Sequence, residues 1–204
     1  MVTVNAGAVC QPKPGEVVSG DSVGIWQDGA STLLTVIDGL GSGQAAAEAT
    51  QSALTCVQVN LDRSLSEIIV CCHRALQGTR GVVMALVRVE HCHDRLTFAG
   101  VGNIGFSAAT TKPMRPISRN GVLGHRLPAP REFCFDCTPG DVVVLYSDGI
   151  SSRFVLNGGV AALSWAPPRE LSRRIVKRFG TGEDDVAVAA LVMTGTTDRL
   201  SHRC

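Results

Sequence analysis

The chain has 204 residues, 45% of them hydrophobic and 18% charged, with 19 Lys and Arg against 18 Asp and Glu for a formal net charge of +1. That length suits one domain with a core large enough to need no staples, and the near-neutral balance gives no field for holding nucleic acid along a surface. No run of about 20 apolar residues could span a bilayer, and the first residues lack a secretory signal's basic start and apolar stretch. No membrane partner is therefore expected, and the expected location is cytoplasmic. The eight cysteines fall inside apolar segments as well as turns, and they read as reduced thiols packed as small hydrophobes.

Short apolar runs over Val2 to Cys10, Ser22 to Trp26 and Ser31 to Ile37 predict strands, with Gln27-Asp28-Gly29-Ala30 as the hairpin turn between the last two. From Ser42 to Val59 the pattern changes. Ala46, Ala49, Ala53, Leu54 and Val57 recur at spacings of three and four, which predicts a helix with Ser42 as its N-cap. Ser64 and Glu67 have capping-box spacing at the head of a second helix reaching about Gln77, where Gly78 ends it. Strands follow over Val82 to Glu90, Leu96 to Val101, Ile104 to Ala109, Arg131 to Asp136, Val142 to Tyr146 and Val186 to Met193. Pro168 to Phe179 reads as an amphipathic helix with Pro168 in its first turn and Gly180 after its end. The grouping predicts an α+β fold of helix layers on largely antiparallel sheets. It forms one domain over 1–194, followed by a polar tail at 195–204.

Acidic residues recur where apolar runs end. Asp38-Gly39 closes Leu33 to Ile37, Asp148-Gly149 follows Val142 to Tyr146, and Asp184-Asp185 precedes Val186 to Val192. Carboxylates gathered beside buried strands repel one another and are costly to desolvate, so a cluster of them calls for protons or a cation. Oxygen-only donors without a His and Cys set point to Mg²⁺ or Mn²⁺.

An ordered series of motifs then resembles the PPM/PP2C family of metal-dependent protein phosphatases. It comprises Gly20-Asp21-Ser22, Asp38-Gly39-Leu40-Gly41, Phe98 to Asn103, Asn120 to Gly124, Gly140-Asp141 through Asp148-Gly149, and Asp184 to Val188. The resemblance implies a four-layer αββα sandwich, two mainly antiparallel sheets flanked by helix pairs, with two Mn²⁺ or Mg²⁺ ions at one end. It implies Asp21, Asp38, the Gly39 carbonyl, Asp148 and Asp184 as metal ligands, with Asp38 bridging both ions and Asp185 in support. It further implies that Asp38, Asp148 and Asp184 act through a metal-activated water that hydrolyses phosphoserine or phosphothreonine. Within the family the wording is most similar to the stand-alone feedback phosphatases of bacterial stressosomes. That branch implies phosphorylated STAS-domain partners, either stressosome scaffolds or anti-sigma antagonists.

Several positions depart from the family's larger members. Glu16 stands where they carry a phosphate-binding Arg, leaving Arg80, Arg119 and Arg126 as basic candidates. Leu40 replaces a general-acid His, Asn103 an acid associated with a third ion, and Gly20 an acid before Asp21. Competing signals are Cys134-x-x-Cys137 and His91-Cys92-His93, which have some zinc-ligand character. Gly39-Leu40-Gly41-Ser42-Gly43 has phosphate-loop character but lacks the Gly-Lys-Ser/Thr ending. Cys71-Cys72-His73-Arg74 lies in a predicted helix at the wrong spacing for a thiol phosphatase. The alternative from another functional class is a noncatalytic phosphatase-like module that binds a phosphorylated regulator.

Overall fold

The computed structural model describes residues 1–156 and 167–195. Among these residues nine strands run in chain order: β1 (Val2–Gln11), β2 (Asp21–Gln27), β3 (Ser31–Gly39), β4 (Val82–Glu90), β5 (Arg95–Val101), β6 (Gly105–Ala109), β7 (Phe133–Asp136), β8 (Val142–Tyr146) and β9 (Val186–Gly195). They form two sheets of orders β1-β9-β8-β6 and β2-β3-β4-β5-β7, with every pairing between them antiparallel. Helices α1 (Gln44–Gln58), α2 (Leu65–Ala75) and α3 (Pro168–Phe179) lie among them.

Side-chain alternation along the strands sorts the apolar residues into three layers of core. Leu34, Val36, Ala85, Val87, Phe98, Leu145 and Leu191 meet between the sheets. Leu33, Ile37, Met84 and Leu86 point the other way, against Ala49, Ala53, Ile68 and Ile69 of α1 and α2. On the opposite face Val144, Val188, Ala190 and Val192 pack against Leu171 and Ile175 of α3. β9 is thus buried on both faces, which accounts for its unbroken apolar run from Val186 to Met193. The layers are helix, sheet, sheet and helix, as the resemblance implies. Among the described residues one helix, α3, covers the β1-β9-β8-β6 sheet where a pair is implied. No helix among the described residues is long and apolar enough to cross a membrane.

Most predicted boundaries fall within a residue or two of the observed ones, and three differences matter. Asp21, Asp38 and Gly39 belong to strands rather than to the turns beside them. The N-cap of α1 is Gly43, with no side-chain cap, and Ser42 instead faces a surface cleft. Gly195, expected in the tail, is the last residue of β9 and pairs with Val2, while 196–204 lie outside the described residues. The capping box at α2 is present as predicted, with the Ser64 side chain accepting from Glu67 N–H and the Glu67 carboxylate from Ser64 N–H.

Candidate metal centre

Two strand registers and two strand ends bring the acids to one end of the sandwich. Asp21 opens β2 and stands directly opposite Asp38 near the end of β3, which in turn faces Val83 of β4. In the other sheet Asp148 lies just past β8 and Asp184 just before β9. These two strands are antiparallel neighbours, with Tyr146 opposite Val188, so both acids emerge at the same edge.

Asp38, Asp148 and Asp184 line one cleft of about 340 Å³, together with Lys13, Leu40, Gly41, Ser42, Val83 and Asn103. Asp21 is only 5% exposed and is set back from the cleft beside Asp38. Asn103 donates to Asp148 through Nδ2, 3.1 Å from Oδ2. Gly39 is buried against its neighbours, and a Cβ there would lie 2.7 Å from the Ala46 carbonyl oxygen. That closeness explains why the residue after Asp38 carries no side chain.

Burial and mutual repulsion dominate the electrostatics. Burial pushes the Asp38 carboxyl up to about 8, and the charges of Asp21, Asp148, Asp184 and Asp185 add to the effect. Asp21 is pushed up to about 7, again chiefly by burial; the neighbouring Ser147 hydroxyl opposes this and Asp185, Asp148 and Asp184 reinforce it. The Ser147 hydroxyl is itself held in place, because its Oγ accepts from Ala187 N–H at 2.9 Å. Asp21 Oδ2 is buried without any hydrogen-bond partner.

A buried carboxylate oxygen without a donor is costly unless something positive meets it. The all-oxygen donor set around it fits a hard divalent cation. Among the described residues no three His, Cys, Asp or Glu side chains already stand as a set that could hold an ion. The acids ring the cleft, and any ion there needs backbone or water oxygens besides.

The adjacent acids Asp184 and Asp185 diverge. Asp184 is exposed on the cleft, whereas Asp185 is 3% exposed and turned inward. Asp185 accepts from Lys13 N–H through Oδ1 at 2.8 Å and from Gly20 N–H through Oδ2 at 2.7 Å. One carboxylate therefore fastens both ends of the segment between β1 and β2.

The other singled-out residues scatter. The Arg80 guanidinium packs against Gly41 at the cleft's rim, whereas Arg119 and Arg126 are absent from its lining and use their backbones to pair with Gly100, Gly102 and Val122. Glu16 lies outside the cleft, its carboxylate 3.8 Å from where a Cβ on Gly43 would be. His91-Cys92-His93 is a 3-10 turn joining β4 to β5, with His91 Nε2 3.0 Å from Thr32 Oγ1. Cys134 is exposed, Cys137 is buried, and neither is in a disulfide. Cys72 is fully buried between α2 and the sheet. Lys13, which sequence reasoning missed, is the one cationic residue lining the cleft among the described residues.

Comparison with known proteins follows the same lines. The family model for stage II sporulation protein E (SpoIIE) matches residues 28–193. A chain solved in work on the bacterial stressosome, a modular system adapted to control secondary messenger signalling, is 31% identical. Its TM-score is 0.86, and the match covers 93% of this chain and 99% of that one. Phosphoserine phosphatase RsbX of Bacillus subtilis (strain 168) is 23% identical over 141 residues, which is 68% of this chain and 71% of RsbX. A structure of RsbX in complex with magnesium shares the fold at 20% identity and a TM-score of 0.82, covering 95% of this chain and all of that one. So does the catalytic domain of the serine/threonine phosphatase PstP with two manganese ions, at 18% identity and a TM-score of 0.71, covering 96% of this chain and all of that one.

Proposed function

The chain belongs to the SpoIIE family of PP2C-type phosphatases, and on that premise we propose that it hydrolyses phosphoserine or phosphothreonine on a STAS-domain protein of a stressosome or related partner-switching system. The observation that carries the chemistry is the facing pair Asp21 and Asp38, both pushed far above the ordinary carboxylate range, one with an oxygen that no donor reaches. Such a pair asks for positive charge at that spot.

In this reading Asp21, Asp38, Asp148, Asp184 and the Gly39 carbonyl hold two divalent ions, Mn²⁺ or Mg²⁺. RsbX with magnesium and PstP with two manganese ions, both of this fold, support it. Bound there, the ions supply charge that lowers the pKa of a water nucleophile and offsets negative charge on the phosphoryl oxygens. The protein's own groups prepare the site. The Ser147 hydroxyl eases the charge on Asp21, Asn103 steadies Asp148 from the side, and Asp185 holds the β1–β2 segment against the cleft. Leu40, on the cleft wall, has no proton to give a leaving group, so protonation of the departing serine or threonine oxygen falls to solvent.

The partner rests on relatives rather than on the cleft. RsbX is named for phosphoserine hydrolysis, and the 31%-identical chain comes from work on the stressosome. The test is phosphate release from phosphorylated STAS domains with Mn²⁺ or Mg²⁺, comparing the native chain with Asp148→Asn and Asp38→Asn. Metal-dependent release lost in both variants is expected. Release from other phosphoproteins but from no STAS domain would overturn the partner, and no release from any phosphoprotein would overturn catalysis. Retained partner binding without turnover would then favour the noncatalytic module.

A further inference from the structure

We infer that Lys13 is the group on this chain that grips the phosphoryl oxygens of the substrate, an inference that takes the phosphatase reading as its starting point. A phosphomonoester arrives with nearly two negative charges, and the cleft that must receive it is lined by Asp38, Asp148 and Asp184. Lys13 is the sole cationic residue lining that cleft among the described residues. Its ammonium makes no ion pair or hydrogen bond with any of them, so its charge is free to meet an anion.

The backbone carrying Lys13 is held at two points. Its N–H donates to Asp185 Oδ1 at 2.8 Å, and its carbonyl accepts from Glu16 N–H at 3.1 Å. Between them Pro14 has a ring-fixed φ and Gly15 a φ of 93°, the pattern of a type II turn that needs glycine at its third position. Pro14 also keeps Lys13 itself out of the helical region. A lysine otherwise loses considerable freedom on binding, so fixing its main chain reduces the cost of each encounter. Its flexible, multiply donating ammonium suits a phosphoryl group presented at varying angles by a protein substrate.

The position also explains why Asp185 is buried and bonded rather than displayed on the cleft. Asp185 holds the lysine's main chain through its carboxylate and the metal-side acid Asp184 through its own N–H, 2.8 Å from Asp184 Oδ1, so one residue ties the two together. Arg80, at the rim beside Gly41, is the next cation and lies outside the lining.

The experiment compares the full native chain with Lys13→Met and Lys13→Arg, with Mn²⁺ binding and inorganic phosphate binding each measured by calorimetry. Both substitutions keep the backbone N–H that bonds Asp185. In Lys13→Met the KM for a phosphorylated STAS domain and the dissociation constant for inorganic phosphate on the Mn²⁺-loaded protein should both rise, roughly tenfold to a hundredfold. Lys13→Arg should recover most of the loss. Mn²⁺ affinity should hold or tighten, because a positive charge has left the acid-lined cleft. Unchanged phosphate binding in Lys13→Met would overturn the inference even if the enzyme is active. So would a parallel loss of Mn²⁺ affinity, which would mean that Lys13 acts on the acids instead. Phosphate binding reads the lysine whether or not turnover is seen, so a failure of the phosphatase reading would appear separately, as absent hydrolysis by the native chain.

Discussion

Asp21 and Asp38 face each other across the β2–β3 pair, the first 5% exposed with one oxygen that no donor reaches, the second half-buried on the cleft. Two like charges in that arrangement oppose folding until protons or a cation neutralise them. Their cost is tied to what the site is for.

The metal-free protein should lose stability as pH rises. Both carboxyls have folded-state values, about 7 and about 8, above the ordinary 3.8. Between those limits the folded chain binds protons that the unfolded chain has released, so stability falls with pH. That contribution is complete below 3.8 and is lost as pH passes 7 and then 8. Thermal melts in chelator from about pH 5 to about pH 9 should show a falling Tm. Mn²⁺ should raise Tm most at the alkaline end, and Asp38→Asn should flatten the slope. A Tm that climbs with pH in chelator would refute the arrangement.

Asp185→Ala should be costly for its size. It leaves the Lys13 and Gly20 N–H groups without their acceptor, one of those contacts being fully buried. Two such losses amount to about 2–4 kcal/mol, read as a lower urea midpoint. Asp185→Asn keeps one acceptor oxygen and should lose about half as much. Equal stability of all three proteins would mean that the β1–β2 segment is held by other contacts.

Gly39→Ala tests the close approach of β3 to α1. The added methyl would lie 2.7 Å from the Ala46 carbonyl oxygen and 2.9 Å from that of Gly20, both backbone atoms that cannot swing aside. Overpacking of this kind costs about 1–3 kcal/mol. It should also weaken Mn²⁺ binding, measured by calorimetry, because relief of the clash displaces the carbonyl next to Asp38.

Ser64→Ala serves as the contrasting case. It removes the side-chain half of the box that caps α2, where Ser64 Oγ accepts from Glu67 N–H at 3.3 Å, and leaves the backbone half, in which the N–H of residue 64 donates to Glu67 Oε2 at 3.0 Å. The urea midpoint should fall, while metal-dependent phosphate release stays at the native rate. A matching loss of activity would show that α2, on the outer face of the sheet, communicates with the cleft.

Local signals carried much of this molecule. Short apolar runs between turn residues placed the strands, the Ser64 and Glu67 spacing marked the head of α2, and Pro168 with Gly180 bracketed α3. Each depends on interactions within a few residues, which sequence displays directly. The N-cap of α1 was missed for the opposite reason. Gly43 sits at the cap while Ser42 turns to the cleft, and only the packing of the Gly39 to Gly43 turn against its neighbours chooses between them.

The sequence by itself determined that acids stand at strand ends, that their donors are all oxygen, and that their order resembles one phosphatase family. The tertiary structure decided how they divide the work. Cross-strand register set Asp21 opposite Asp38, and the turn into β9 sent Asp184 to the cleft and Asp185 to the interior. It also brought Lys13, 171 positions from Asp184, to the same cleft wall. Charge acts through space, so which carboxylates repel and which cation answers them is settled only when distant segments meet.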